Sequence, residues 1–164
     1  MFIAETWTDK DKLVQVQRWI DLKNMLEVPW RNKARRGGGG LKIFWNEDFD
    51  LSIKTLSPNH IDSTINKNKR NEWRFTTFYG KLDTWFRHES WTKLRNLKNH
   101  SNSPWICAGD FNESTCQSEK IGRRVRPHNQ MQSFIDVLNE CGFMDMGFVG
   151  SPFTWHKHYA NYTI

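Results

Sequence analysis

The sequence predicts an α/β or α+β chain, on three observations. Strand-like apolar segments outnumber helical ones, two clear helices interrupt them, and several strands end abruptly on polar residues. A length of 164 residues allows one domain with a sizeable core, and nine tryptophans argue for a packed globule rather than disorder. The net charge of +6 suits a polyanionic partner. Cys107, Cys116 and Cys141 show no paired metal-ligand spacing, and an odd count makes a poor disulfide framework, so a reduced compartment is expected over secretion. The first apolar run stops at Glu5 with no basic segment before it, which is not the pattern of a signal peptide. No stretch approaches the length of a membrane span.

Taken in order, Phe2-Ile3-Ala4 is a short strand that closes on Glu5. Thr8 can cap a helix in which Leu13, Val16 and Ile20 follow at helical spacing. Val28-Pro29-Trp30 leaves that helix, and residues 31–40 form a basic, glycine-rich turn. Four strands are expected next, at 41–45, 51–56, 60–66 and 73–79, separated by turn residues that favour antiparallel neighbours. In the third of these Ile61, Ser63 and Ile65 share one face and polar residues the other. A helix is expected over 87–99 with Trp91, Leu94 and Leu97 on one side, then a strand over 104–112. Pro127 opens a second helix with Met131, Phe134, Leu138 and Cys141 in register, stopped by Gly142. Two more strands are expected at 143–149 and 153–159.

The strand at 104–112 carries the most chemistry. Its uninterrupted apolar run suits a strand buried on both faces, and it ends in Gly109-Asp110-Phe111-Asn112. In an extended chain Asp110 and Asn112 point to one side and Phe111 to the other, while Gly109 leaves room for close approach. The plainer reading is a turn in which the acid and the amide satisfy local backbone groups. Tyr79 ends its strand as Glu5 and Asp110 end theirs, and ligand sites gather at the carboxyl ends of strands. A carboxylate suited to a hard cation, a phenol, and an acid beside an amide make up much of a metal-assisted phosphodiester site.

Other features carry less. The glycines at 37–40 lack the Lys-Ser/Thr ending of a P-loop and precede a strand, so a flexible connection is the better reading. Arg31, Lys33, Arg35 and Arg36 fit a nucleic-acid backbone, a nuclear-import patch or a solvated loop. The polar connection 113–126 adds Lys120, Arg123, Arg124 and Arg126. His60 has no ligand partner at metal spacing, and a surface or hydrogen-bonded role is the default. His156 and His158 would share a strand face, which permits a metal pair but more often means a polar surface.

Four motifs in order give the chain a resemblance. Ala4-Glu5-Thr6, Phe78-Tyr79-Gly80, Gly109-Asp110-Phe111-Asn112-Glu113 and Ser151-Pro152-Phe153-Thr154-Trp155 resemble those of the endonuclease/exonuclease/phosphatase superfamily. The spelling is most similar to the apurinic-endonuclease-like domain of plant LINE-type (non-LTR) retrotransposons, whose pattern also includes Arg126-Pro127 followed by Met131 and Phe134. The likeness runs over essentially the whole chain. It implies a two-sheet α/β sandwich with helices outside, and Mg²⁺ as the usual metal with Mn²⁺ as a substitute. It implies that Glu5 binds the metal, Asp110 orients or deprotonates the attacking water, Asn112 helps hold the phosphate, and Tyr79 stands near the scissile bond. The implied activity is nicking of DNA, contacted through its phosphate backbone, so that an associated reverse transcriptase can prime. A location in the nucleus, or in nucleus and cytoplasm, is expected, with no obligate protein partner and no membrane.

The departures from the family pattern set further expectations. The family's upstream asparagine motif has no counterpart before Glu5, and nothing after Trp155 matches the Arg-Leu-Asp-Arg or terminal Ser-Asp-His motifs. The chain is therefore expected to be the middle of such a domain, cut at both ends, poorly stable and impaired in catalysis. It should then nick supercoiled DNA no faster than its own Asp110→Ala variant. The competing reading is a non-catalytic remnant with weak basic DNA binding. A phosphatase acting on phosphoinositides or sphingolipids is less favoured by the motif spelling.

Overall fold

The computed structural model describes residues 1–4, 10–29, 40–122, 124–151, 153, 158–159 and 162–163. The chain forms two compact units, residues 1–81 with 102–111 and residues 82–101 with 112–164.

The first unit holds β1 (Phe2–Ile3), α1 (Lys10–Trp19), β2 (Asn24–Val28), β3 (Leu41–Trp45), β4 (Leu51–Ser57), β5 (His60–Ile65), β6 (Trp73–Tyr79) and β7 (Trp105–Asp110). β1, β3 and β2 make an antiparallel sheet with β3 in the middle. β4, β5, β6 and β7 make a second sheet in that order, antiparallel except for the parallel pair β6–β7. β3 and β4 therefore fall in different sheets, although the sequence reading had them as candidate neighbours. The two sheets meet through Leu41 and Ile43 of one and Ile61 and Tyr79 of the other, all buried. Leu26, Val28, Leu51 and Phe75 pack against that cluster.

Central position explains why β3 is buried from Leu41 to Phe44, Lys42 included. The Lys42 ammonium lies 3.3 Å from the Glu27 carboxylate directly across the β2–β3 ladder, which offsets part of its desolvation. β2 is an element the sequence reading missed. Its alternation covers only five residues, with Leu26 and Val28 turned to the core and Glu27 to the opposite face, too short a signal beside a helix and a proline.

On the other face of the four-stranded sheet lies a fully buried polar network. Arg74 donates to Asp62 through Nε at 2.7 Å and Nη2 at 3.0 Å, and the Thr76 hydroxyl donates to Asp62 Oδ1 at 2.6 Å. The Arg74 guanidinium also lies 4.4 Å from the centroid of the Trp105 ring, whose indole N–H donates to Thr76 Oγ1 at 2.8 Å. Alternation places polar residues on the face opposite Ile61, Ser63 and Ile65 without showing that this face is buried. Mutual pairing is what lets these groups be buried.

The second unit is built on α2 (Arg87–Lys98) and α3 (His128–Cys141). Trp91 and Phe134 stack with ring centroids 4.9 Å apart, and Glu140 of α3 accepts from Arg95 of α2. α3 ends as its glycine predicts. Gly142 has φ +72°, its N–H bonds to Asn139 O, and the Phe143 N–H returns to Leu138 O at 2.9 Å, a Schellman closure. The expected strand at 143–149 does not form. The Gly147 N–H bonds to Asp145 Oδ1 at 2.8 Å and Gly147 takes φ +70°, so a local turn replaces extension and leaves Met144, Met146 and Phe148 exposed. Of the expected strand at 153–159, residues 154–157 lie outside the described set, and His158–Tyr159 (β8) pairs antiparallel with Tyr162–Thr163 (β9). No helix among the described residues is long and apolar enough to cross a membrane.

Candidate active site

Tyr79 and Asp110 are brought together by the parallel pairing of β6 with β7. β6 is rich in aromatic and β-branched residues, and its register with β7 sets Tyr79 beside Asp110 as the last facing pair. Partners in a parallel ladder project to the same side, so Asp110 stands on the face that Tyr79 shares with the core. Tyr79 is 4% exposed, its ring held among Leu41, Ile43 and Ile61, whereas Asp110 is exposed. A phenol fixed by packing thus neighbours a carboxylate open to solvent.

Two glycines make this approach possible. Gly109 has φ +152°, and a Cβ there would sit 1.8 Å from Phe78 O. At Gly80 a Cβ would sit 2.1 Å from Phe111 O. With both side chains absent, the Gly80 N–H reaches Asp110 O at 2.7 Å and extends the ladder past Tyr79. Phe111 then stacks on Phe78 at 5.6 Å between centroids, which anchors the chain just after the acid.

β7 differs from its expected form in two ways. Half-buried to exposed along its length, it is the edge of its sheet among the described residues, not a strand buried on both faces. An apolar run cannot by itself separate a central strand from an edge one. The strand also stops at Asp110, and Asn112 takes φ +56°. Strict alternation fails there, so Asp110 and Asn112 do not share a side as consecutive positions of one strand. A left-handed conformation suits asparagine better than most residues.

Asn112 belongs to the second unit and leads into a residue that the sequence reading left without a role. The Glu113 side chain is 1% exposed. It accepts from Arg87 Nη1 at 2.6 Å, stands 2.9 Å from Arg126 Nε, and accepts the Ser114 N–H at 3.1 Å. One carboxylate therefore ties the start of α2 and the approach to α3 to the position after Asn112. Motif spelling marked Glu113 as distinctive, but only its long-range partners reveal an anchor.

Of the remaining candidates, Glu5 lies outside the described residues, as do Arg31, Lys33, Arg35, Arg36, Arg123, Thr154, Trp155 and His156. Lys120 donates to the Arg124 carbonyl at 2.6 Å, and Arg124 is exposed. His60 is buried between Thr55 Oγ1 and Ser57 Oγ, a hydrogen-bonded histidine. Among the described residues no three His, Cys, Asp or Glu side chains gather as a metal cluster. Mg²⁺ asks for less, since it keeps several waters and binds through one or two carboxylates, and the exposed Asp110 carboxylate suits it as a donor.

No family model matches the chain, and no curated protein does. Among solved structures the chain is similar to the endonuclease domain of TRAS1, a telomere-specific non-LTR retrotransposon. The superposition has a TM-score of 0.69 at 12% identity and covers 99% of this chain and 79% of that one. The fold is an endonuclease-type α/β fold. The two sheets with helices expected from the motifs are thus the architecture observed. At this identity the likeness speaks for the fold alone.

Proposed function

We propose that the chain is a metal-dependent DNA endonuclease of the non-LTR retrotransposon kind. The observation that carries the reading is the pairing of Tyr79 with an exposed Asp110 at the carboxyl ends of adjacent parallel strands. Asp110 takes the proton of the attacking water, which makes it the catalytic base. The Tyr79 hydroxyl donates to a phosphate oxygen from a ring that packing prevents from swinging away. Asn112 donates its side-chain amide to another phosphate oxygen. Glu5 is the proposed ligand of Mg²⁺ or Mn²⁺, which when bound would neutralise charge on the phosphate. The net charge of +6 favours a DNA backbone as the polyanion.

Nicking of supercoiled plasmid in Mg²⁺ tests this. The unmodified chain is expected to nick at least about a hundredfold faster than Asp110→Ala, the range for losing a positioned base. Equal rates would overturn the reading. A basic DNA-binding chain without catalysis would then stand.

A further inference from the structure

The β4–β5 hairpin turns through Ser57-Pro58-Asn59-His60, and Asn59 lies opposite Tyr79, one step past the last regular rung at His60↔Phe78. At that step the Asn59 carbonyl accepts the Tyr79 N–H at 2.8 Å. The return bond is not made by backbone. The Asn59 N–H turns instead to Ser57 Oγ at 3.1 Å, and the side-chain amide Nδ2 donates to the Tyr79 carbonyl at 2.9 Å. A side chain thus completes the final rung of β6.

That amide is itself held. Ser57 Oγ is 2.6 Å from His60 Nδ1, and His60 Nε2 is 3.0 Å from Thr55 Oγ1, with His60 2% exposed. A neutral imidazole protonated on Nε2 satisfies these contacts together. It donates to Thr55 and accepts the Ser57 proton, which leaves a Ser57 lone pair for the Asn59 N–H. Pro58 presets the turn ahead of Asn59. The chain from Thr55 to Asn59 is therefore fixed before it reaches Tyr79.

We propose that Asn59 is a positioning residue, whose side-chain amide fixes where β6 ends and so the place of Tyr79 beside Asp110. Its catalytic consequence rests on the hydrolase reading above; its structural consequence does not. Aspartate separates this role from simple turn formation. It serves the turn as well as asparagine does, but it carries no N–H and sets a carboxylate against the Tyr79 carbonyl.

The chain has three tyrosines, so ring-labelled tyrosine gives three NMR signals, and Tyr79→Phe assigns the one that matters. Asn59→Asp and Asn59→Ala are both expected to shift the Tyr79 signal and leave the other two in place. In plasmid nicking both should lower kcat by about ten- to a hundredfold at nearly unchanged KM, the cost of a small misplacement at a reacting centre. A Tyr79 signal unmoved in Asn59→Asp overturns the positioning role. So does an Asp110-dependent activity whose kcat in both variants equals that of the unmodified chain. If the signal moves while nicking proves independent of Asp110, the hydrolase reading fails and the positioning stands.

Discussion

Removing the Asp62 carboxylate puts the buried network of the four-stranded sheet to a quantitative test. Asp62 accepts three hydrogen bonds, two from Arg74 and one from Thr76, and all three residues are 0% exposed. An exposed ion pair is worth about 0–1 kcal/mol, because water replaces a lost partner. Here Asp62→Ala leaves a guanidinium without its carboxylate in a site closed to water, which costs about 3–5 kcal/mol. For a chain of this size each kcal/mol moves Tm by roughly 2–4 °C, so the expected fall is about 6–20 °C. Against a typical total stability of about 5–15 kcal/mol, that is a large share. The double variant Asp62→Leu/Arg74→Met removes both charges at similar volume and should recover most of the loss. Thermal melts of the two variants followed by circular dichroism decide it. A fall of less than about 2 °C in Asp62→Ala, or a double variant as unstable as the single one, would refute the idea that Arg74 depends on this partner.

Two further outcomes follow from contacts already described. Gly109→Ala puts a methyl carbon where Phe78 O lies 1.8 Å away, so β6 and β7 must part; both Tm and Asp110-dependent nicking should drop, and an unchanged melt would count against the close approach. Burial pushes the Cys141 thiol up from its ordinary range, so iodoacetamide at neutral pH should label exposed Cys116 well before Cys141. Since the folded state favours the neutral thiol, its stabilising contribution is whole below the ordinary thiol pKa of about 8.5 and is lost as pH rises through the raised value. Replacing Cys141 with Ala should therefore flatten the alkaline limb of the melting curve, and equal labelling of the two cysteines would remove the premise.

Much of the fold was legible because its elements carry strong local signals. β3 to β6, α2 and α3 came within a residue or two of their observed bounds, and Gly142 marked its helix end through the one conformation it adopts cheaply. What failed was whatever depends on partners far away in sequence. The apolar content of 143–149 resembled a strand, but extension is stable only with a neighbour to bond, and a local Asp145–Gly147 turn prevailed. The burial of Asp62 and Arg74 was not legible, because their pairing across the ladder is invisible to alternation. At the candidate site the sequence named Tyr79, Asp110 and Asn112, but not the residues that hold them. Asn59 and Glu113 act through contacts that span 20 and 26 positions of chain, and no local pattern encodes those.

The Gly-Asp-Phe-Asn-Glu motif makes physical sense once its residues are separated by task. A carboxylate offered to a ligand must be exposed, yet an exposed position on an edge strand is the one least restrained by its own packing. The neighbours supply that restraint. Gly109 lets the two strands close up, Phe111 stacks on Phe78 immediately after the acid, and Asn112 accepts the left-handed turn that ends the strand. Glu113 then fastens the next position to two arginines. Within Gly109-Asp110-Phe111 it is the exposed Asp110 that is proposed to meet water. Presenting that acid draws on the close approach at Gly109 and the anchor at Phe111.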